Sequence, residues 1–173
     1  MLQGLPPLLD ARTRIVILGS FPGVQSLQSQ QYYAHPRNQF WRLVFQAISG
    51  DSPYIYCASS YEIRSTALLQ LGVGLWDVYA ACEREGSLDS AIRSPQPNDL
   101  AALRQRCPQL RAVAHNGAES FKHARTVHQL LNSNASPDSV VTIHQLPSSS
   151  PANATWSFER KLAAWQAVLQ PLI

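Results

Sequence analysis

The residues best suited to chemistry lie in one long loop after the first predicted strand. This loop, GSFPGVQSLQSQQYYAHPRNQFW, runs from Gly19 to Trp41 and is dense in aromatic, amide and hydroxyl side chains. Loops of such length in compact domains are usually functional. Gly19, Pro22 and Gly23 favour a tight backbone whose amide hydrogens could hold an oxygen or a phosphate, and an ordinary turn is the alternative. The loop contains neither the GxGxxG dinucleotide pattern nor the GKS or GKT of a P-loop.

A second loop is rich in small hydrogen-bonding side chains. It reads LPSSSPANAT, from Leu146 to Thr155, and carries three consecutive serines between Pro147 and Pro151. Such a stiff loop is suited to contacts with phosphates or with a nucleic-acid backbone. A turn followed by a helix cap at Asn153 or Thr155 explains the same residues. We do not expect a serine nucleophile, because the chain has no GxSxG elbow and no histidine is marked as its partner.

The cysteines and lysines offer little chemistry. Cys57, Cys82 and Cys107 lie 25 residues apart without a CxxC pair, which argues against a disulfide framework and against a zinc or iron–sulfur site. Lys122 and Lys161 fall in no motif, which disfavours a Schiff base. We therefore expect no metal, no cofactor and a reduced, cytoplasmic setting.

Strands and helices alternate along the chain and must position these loops. Residues 14–19, RIVILG, form a continuous apolar run typical of a strand buried on both faces, and further strands are predicted at 74–79, 110–114 and 140–144. The alternation predicts an α/β/α sandwich with a mostly parallel sheet of about four strands. Ligands bind such sheets beyond the carboxyl ends of the strands.

The intervening segments read as helices or loop. Helices are predicted over 38–49, 99–106 and 118–131, and another begins at a capping box of Ser59 and Glu62 and ends near Leu71. A last helix carries an apolar stripe from Phe158 to Leu169. Residues 83–98 are polar and rich in Gly, Ser and Pro, so they are predicted to form a loop with one short helical turn.

The bulk composition fits one domain over residues 1–173. With 173 residues and 45% hydrophobic side chains, the chain can bury one core. Charged residues make up 14%, and 14 Lys+Arg against 11 Asp+Glu give a formal charge of +3, which suits a polyanionic partner without requiring one. The amino terminus does not read as a signal peptide, and no apolar run approaches the length of a membrane span, so we expect no membrane association.

Four motifs in order resemble the uracil-DNA glycosylase superfamily. GSFPG (19–23) resembles the Gly-x-x-Pro-Gly loop of its mismatch-specific members, and HPRNQFW (35–41) resembles their His-Pro-x-Asn-x-Phe-Trp segment. HNG (115–117) is similar to their strand-ending Asn-Gly, and LPSSSPAN (146–153) to their carboxy-terminal Pro-Ser-x-Ser-Pro intercalation loop. YYAHPRNQFW together with LPSSSPAN is most similar to the hypoxanthine-DNA glycosylase branch.

This resemblance implies an enzyme of base-excision repair. The expected reaction is hydrolysis of the N-glycosidic bond of deoxyinosine after the base is flipped out of DNA, by a monomer that needs no cofactor and no obligate protein partner. Two alternatives remain: a uracil glycosylase, and a non-catalytic nucleic-acid-binding module on the same fold.

The resemblance also implies where the attacking water is held. In the mismatch-specific uracil and thymine enzymes the third residue of Gly-x-x-Pro-Gly is the asparagine that positions this water, and here that residue is Phe21. The hypoxanthine branch implies that Asn38 orients the water instead. Because base departure passes through an oxocarbenium-like sugar, an amide need only place the water.

The remaining assignments concern the base and the DNA. Donors must stabilise the charge on the leaving base, and the family match places Phe40 as the stacking surface, although its helical spacing also fits a core residue. Asp77, at a predicted strand end, could read the edge of the base or cap a turn. The predicted substrate-binding residues are Gly19, Ser20, Phe21, Pro22, Phe40, Asp77 and Asn116. The predicted DNA-binding residues are Ser148, Ser149, Ser150, Pro151 and Asn153.

Overall fold

The computed structural model describes residues 1–50 and 59–173. Within these residues the strands are β1 Leu2–Gln3, β2 Ile15–Gly19, β3 Val73–Asp77, β4 Tyr79–Glu83, β5 Arg93–Pro97, β6 Ala112–Asn116 and β7 Thr142–Leu146. The helices are α1 Val24–Ser29, α2 Phe40–Ser49, α3 Tyr61–Gln70, α4 Leu103–Arg106, α5 Ala118–Phe121, α6 Ala124–Asn132 and α7 Phe158–Leu169. Short 3-10 turns span Asp89–Ala91, Leu100–Ala102, Pro137–Ser139 and Gln170–Leu172.

Four parallel strands form the central sheet, in the order β3-β2-β6-β7. The sheet is buried on both faces: along β2, Ile15 and Ile17 face one core cluster, and Val16 and Leu18 face the other. Residues of α2, α3 and α7 pack in the first cluster, and residues of α4 and α6 in the second. The predicted three-layer α/β/α class with a four-stranded parallel sheet is thereby confirmed.

A second, antiparallel sheet of three strands was not predicted. It has the order β1-β4-β5, and β5 lies within the segment that the sequence assigns to a loop. The sequence of β5, RSPQP, carries two prolines and is exposed along its whole length, so it shows no apolar alternation. A strand of this kind is tolerated at the edge of a sheet, where it gives no periodic signal.

Other differences concern element ends. The helix that begins after residue 59 is capped by Ser60, whose side chain accepts a hydrogen bond from the Ile63 amide, and not by Ser59. The predicted helix over 118–131 is divided into α5 and α6. Strands β6 and β7 begin two residues later than predicted, because the buried Leu110 and Val141 belong to the chain entering each strand. Cys57 lies outside the described residues.

Among residues 1–50 and 59–173, none of the helices has the length and apolar character needed to cross a bilayer.

Candidate active site

A cleft of about 1050 Å³ opens at the carboxyl ends of the parallel strands. Strand β2 ends there at Gly19, β3 at Asp77, β6 at Asn116 and β7 at Leu146, so the loops that follow these strands meet at one edge of the sheet. Twelve of the thirteen predicted site residues line the cleft: Gly19, Ser20, Phe21, Pro22, Asn38, Asp77, Asn116, Ser148, Ser149, Ser150, Pro151 and Asn153. Phe40 does not.

Asp77 lies at the buried end of the cleft. The residue is 4% exposed, and its Oδ2 atom has no hydrogen-bond partner among the described residues. Burial raises its pKa from 3.8 to about 7, with the negative charge of Asp89 acting in the same direction and the Arg84 guanidinium against it. A Cβ atom on Gly19 would lie 2.4 Å from Asp77 Oδ1, so a residue without a side chain is needed at the end of β2.

Asn38 stands just before α2, on a half-exposed side of the cleft. Its Oδ1 atom accepts a hydrogen bond from the Phe40 amide at 2.9 Å, and its own amide donates to the His35 carbonyl at 2.8 Å. These two bonds fix both the side chain and the backbone of Asn38 at the start of the helix. The next amide, that of Gln39, donates to the Ser149 carbonyl at 3.0 Å and thus joins this segment to the loop of residues 146–155, called the serine loop.

Tyr33, and not Phe40, presents an aromatic ring to the cleft. Phe40 is fully buried, and the ring of Tyr33 stacks on it with centroids 3.8 Å apart and planes 11° apart. Tyr33 lines the cleft and holds a backbone φ of 54°, which is uncommon for a residue with a side chain. Direct stacking of a base on Phe40 does not fit this arrangement, because Tyr33 already covers the ring.

The serine loop is held to β6 by a reciprocal pair of hydrogen bonds. Asn116 Nδ2 donates to Ser149 Oγ at 2.9 Å, and the Ser149 amide donates to Asn116 Oδ1 at 3.0 Å. Ser149 is 1% exposed, so its hydroxyl faces Asn116, and the prediction that it contacts DNA does not fit this position. Ser148 and Ser150 are half-buried and each accepts a hydrogen bond from an amide two residues ahead.

One segment at the cleft was missed by the sequence reasoning. Ser87, Leu88 and Asp89 line the cleft beside the loop that follows β2. Ser20 Oγ donates to Asp89 Oδ1 at 2.6 Å, and the Val24 amide donates to Ser87 Oγ at 3.0 Å. Because both contacts join residues more than sixty positions apart, no local sequence pattern predicts them.

The guanidinium of Arg84 makes a further contact with the loop that follows β2. It donates to the Pro22 carbonyl and lies 5.1 Å from the centre of the Phe21 ring. The Phe21 ring is 6% exposed and belongs to the second core cluster. Phe21 therefore borders the cleft while its side chain packs in the core.

A buried lysine links the two principal loops. Lys161 is 2% exposed, and its amine donates to Gln39 Oε1 at 3.1 Å and to the Ser150 carbonyl at 3.4 Å. It does not line the cleft. Its hydrogen bonds connect the segment that carries Asn38 with the serine loop, which fits a structural role.

The family model and the known proteins that match this chain are all described as DNA glycosylases. The model of the uracil DNA glycosylase superfamily matches residues 6–169. A hypoxanthine DNA glycosylase of Methanosarcina acetivorans is 38% identical over 168 residues, which cover 97% of this chain and 98% of that protein. One of Methanosarcina barkeri is 42% identical over 121 residues, covering 70% and 74% respectively. A solution NMR structure of a uracil DNA glycosylase candidate from Methanosarcina acetivorans is 37% identical, with a TM-score of 0.82 over 98% of this chain and 97% of that one.

The chain belongs to the uracil DNA glycosylase superfamily. The family predicted from four short motifs is therefore confirmed. In this superfamily member the four motifs, far apart in sequence, converge on one cleft. No group of three or more His, Cys, Asp or Glu side chains within residues 1–50 and 59–173 is arranged to hold a metal ion.

Proposed function

We propose that this protein is a monofunctional DNA glycosylase that hydrolyses the N-glycosidic bond of deoxyinosine and releases hypoxanthine. The observation that carries the proposal is the convergence of three residues on one cleft that is large enough for a nucleobase: Asn38 from the long loop, Asp77 from the end of β3 and Asn116 from the end of β6. Two relatives similar to the chain are named hypoxanthine DNA glycosylases, which favours this base over uracil.

The depth of each side chain suggests how a flipped nucleotide is held. The base, being the end of the nucleotide farthest from the DNA backbone, enters deepest and meets Asp77, while the sugar stays nearer the mouth, beside the half-exposed Asn38. Tyr33, supported from behind by Phe40, offers the aromatic surface on which the base stacks. A neutral phenol serves this role well, and burial raises the pKa of Tyr33 so that it keeps its proton.

Asn38 places the water that attacks the sugar. An amide oxygen has two lone pairs, and one of those on Asn38 Oδ1 is taken by the Phe40 amide, which leaves the second for a water molecule. Because that bond fixes the oxygen before substrate arrives, the water is positioned with little reorganisation. An amide does not act as a base near neutral pH. Positioning alone suffices, because an oxocarbenium-like transition state requires the water to be placed and not strongly deprotonated.

Hydrogen-bond donors stabilise the negative charge that develops on the base as its bond to the sugar breaks. Candidates are the backbone amides of the Gly19–Phe21 turn and the Asn116 side chain, which Ser149 holds in place. Each donor aimed at developing charge contributes on the order of 2–4 kcal/mol at comparable sites.

The mouth of the cleft carries groups suited to DNA. Arg37 is exposed there, and the half-buried ring of Trp156, also at the cleft, lies 3.9 Å from the guanidinium carbon of the exposed Arg160. Arginines at such positions bind phosphates, and the small side chains of Ser148 and Ser150 let a nucleic-acid backbone approach closely.

A panel of otherwise identical oligonucleotides tests the proposal. Each carries hypoxanthine, uracil, xanthine or ethenoadenine at one position, and alkali after incubation cleaves at any abasic site. We expect strand cleavage at hypoxanthine with the highest single-turnover rate. Preferred cleavage at uracil would support the alternative base, and DNA binding without cleavage at any of the four bases would support a non-catalytic module.

A further inference from the structure

Asp77 is a buried carboxyl group with an unused oxygen at the floor of the cleft. The residue ends β3, is 4% exposed and lines the cleft, and Oδ2 meets no hydrogen-bond partner in the part of the chain that the structure describes. Buried polar atoms without a partner are uncommon in folded proteins, since each costs free energy. A carboxyl group of this kind, in a residue that lines a cleft, is placed to meet a ligand.

The surroundings of Asp77 favour its protonated form. Water is largely excluded, and the carboxylate of Asp89 approaches from the 3-10 turn, held by Ser20 Oγ at 2.6 Å. Tyr32 and Tyr33 approach from the long loop, and both phenols stay neutral because burial raises their pKa values. The only positive charge among the described groups that shift Asp77 is Arg84, which is also bound to the Pro22 carbonyl. The balance raises the pKa of Asp77 to about 7, first through burial and then through the charge of Asp89.

We propose that Asp77 is a general acid that delivers a proton to the departing purine. This role rests on the proposed function, and it adds a catalytic step to a residue otherwise assigned only to contacting the base. Proton transfer from a positioned side chain typically contributes about 10²- to 10⁴-fold to a rate.

Atoms and charge are conserved in the proposed step. The bond between C1′ and N9 breaks, and its electron pair goes to the purine. An acceptor nitrogen of the purine, N7 or N3, takes the proton from the Asp77 carboxyl group, so hypoxanthine departs neutral and Asp77 becomes a carboxylate. Water held by Asn38 adds to C1′ and loses a proton to solvent, and Asp77 recovers a proton from solvent once the product leaves.

The position of Asp77 favours a general acid that acts on the nucleobase over a general base that acts near the sugar. The deepest part of the cleft receives the nucleobase, while the water must reach C1′ near the mouth, where Asn38 lies. The missing side chain at Gly19 allows the carboxyl group to sit against the end of β2, where a Cβ atom would come within 2.4 Å of Oδ1. The fold thus accommodates a carboxyl group that is unfavourable for stability when ionised, which is typical of functional sites.

The test measures single-turnover release of hypoxanthine from about pH 5.5 to pH 8. The wild-type rate is expected to fall tenfold per pH unit above an inflection near the pKa of Asp77, since only the protonated form is active. Asp77→Asn is isosteric and neutral, so it should fold, and its rate should be at least about 100-fold lower at pH 6 and independent of pH. Asp138→Asn, which removes an exposed carboxylate that does not line the cleft, should leave the wild-type profile unchanged.

A second variant tests the link to Asp89. Asp89→Asn removes the neighbouring negative charge, so the inflection should move to lower pH, a change that a purely structural Asp77 would not produce. A wild-type rate that rises with pH would make Asp77 a general base, and a rapid Asp77→Asn enzyme would make it a contact only; either result overturns this inference and leaves the proposed function standing. Absence of base release by the wild-type protein overturns both.

Discussion

At the scale of single residues, one oxygen atom of this protein serves both the fold and the proposed chemistry. Asn38 Oδ1 closes a turn onto the Phe40 amide and, in the proposed reaction, holds the attacking water. The structural role prepares the chemical one, because the turn fixes the oxygen before substrate binds. The two roles can be separated by substitution.

Asn38→Ala should slow single-turnover excision at least about 100-fold, because the water loses its positioning group, while DNA binding stays within a few-fold. It should also lower the free energy of unfolding by about 1 kcal/mol through loss of the turn. Asn38→Ser is the matched control: its hydroxyl can still accept from the Phe40 amide but is too short to hold the water, so stability should recover and the rate should not. Recovery of both in Asn38→Ser would show that the turn alone matters.

Phe21 occupies the position at which related enzymes carry the water-binding asparagine, yet its ring lies in the core beside Arg84. Phe21→Asn should therefore lower the free energy of unfolding by about 3 kcal/mol and give no excision of uracil, because the amide would be buried away from the cleft. Phe21→Leu keeps an apolar side chain and should be milder in urea denaturation. Uracil excision by a fully stable Phe21→Asn protein would contradict the core assignment.

The sequence predicts that Asn38, Asp77 and Asn116 lie at the candidate site, because each stands in a motif or at the end of a strand, where position along the chain predicts position in space. It could not reach Asp89, whose role depends on Ser20 Oγ, 69 residues away. It assigned the stacking surface to Phe40, when Tyr33 covers that ring. Which of two neighbouring aromatic rings faces a cleft depends on a backbone turn at φ 54°, and nothing in the residue types specifies that turn.

At the scale of elements, the two sheets differ in how well the sequence predicts them. The parallel strands are continuous apolar runs, so their number and order along the chain were predictable. The antiparallel sheet contains an exposed, proline-bearing strand whose register with β4 shifts twice, and it leaves no periodic trace. This sheet matters to the site, because the chain between β4 and β5 carries the residues that close one side of the cleft.

Adjacent residues of the serine loop are expected to have different roles, Ser149 in stability and Ser148 and Ser150 in contacts with DNA. Ser149→Ala should lower the free energy of unfolding by about 1 kcal/mol, because the partly buried Asn116 Nδ2 loses its acceptor. Replacing Ser148 and Ser150 together with glycine should leave that pair intact and loosen the part of the loop that is proposed to contact DNA. Urea denaturation of the two variants distinguishes the roles.

The glycine pair also tests whether the loop assists base flipping. Its excision rate should fall most in a fully paired duplex, where unstacking and unpairing cost a few kcal/mol, and least in single strands or opposite a mismatch. Excision of the same base in these three settings provides the measurement. An equal loss in all three would mean that the loop serves general phosphate binding.

At the scale of the whole molecule, the chemistry proposed here relies on amide, hydroxyl and carboxyl groups of the chain itself. Excision should therefore persist in excess chelator. The measurement is the single-turnover rate before and after dialysis against chelator. Loss of activity that zinc restores would contradict the expectation.

The stability of the folded chain should also depend on Asp77 in a pH-specific way. Its pKa is raised from 3.8 to about 7 in the folded state, so the folded protein binds this proton more tightly than the unfolded chain. Stability from this group is therefore highest at low pH, decreases as the pH rises from about 4 to about 7, and is constant above that range. His115, fully buried, acts oppositely: burial lowers its pKa to about 4, so its contribution is lost as the pH falls through the same range.

Comparing the wild type with Asp77→Asn isolates the carboxyl group, because His115 is common to both proteins and cancels. The variant should be as stable as the wild type near pH 4 and more stable above pH 7, by an amount on the order of 4 kcal/mol at most. Urea denaturation at several pH values gives this difference. A difference that does not change with pH would mean that Asp77 ionises in the folded protein as it does in the unfolded chain. A gain in stability above pH 7 together with a loss of excision would show that the fold retains an unfavourable buried carboxyl group for its chemistry.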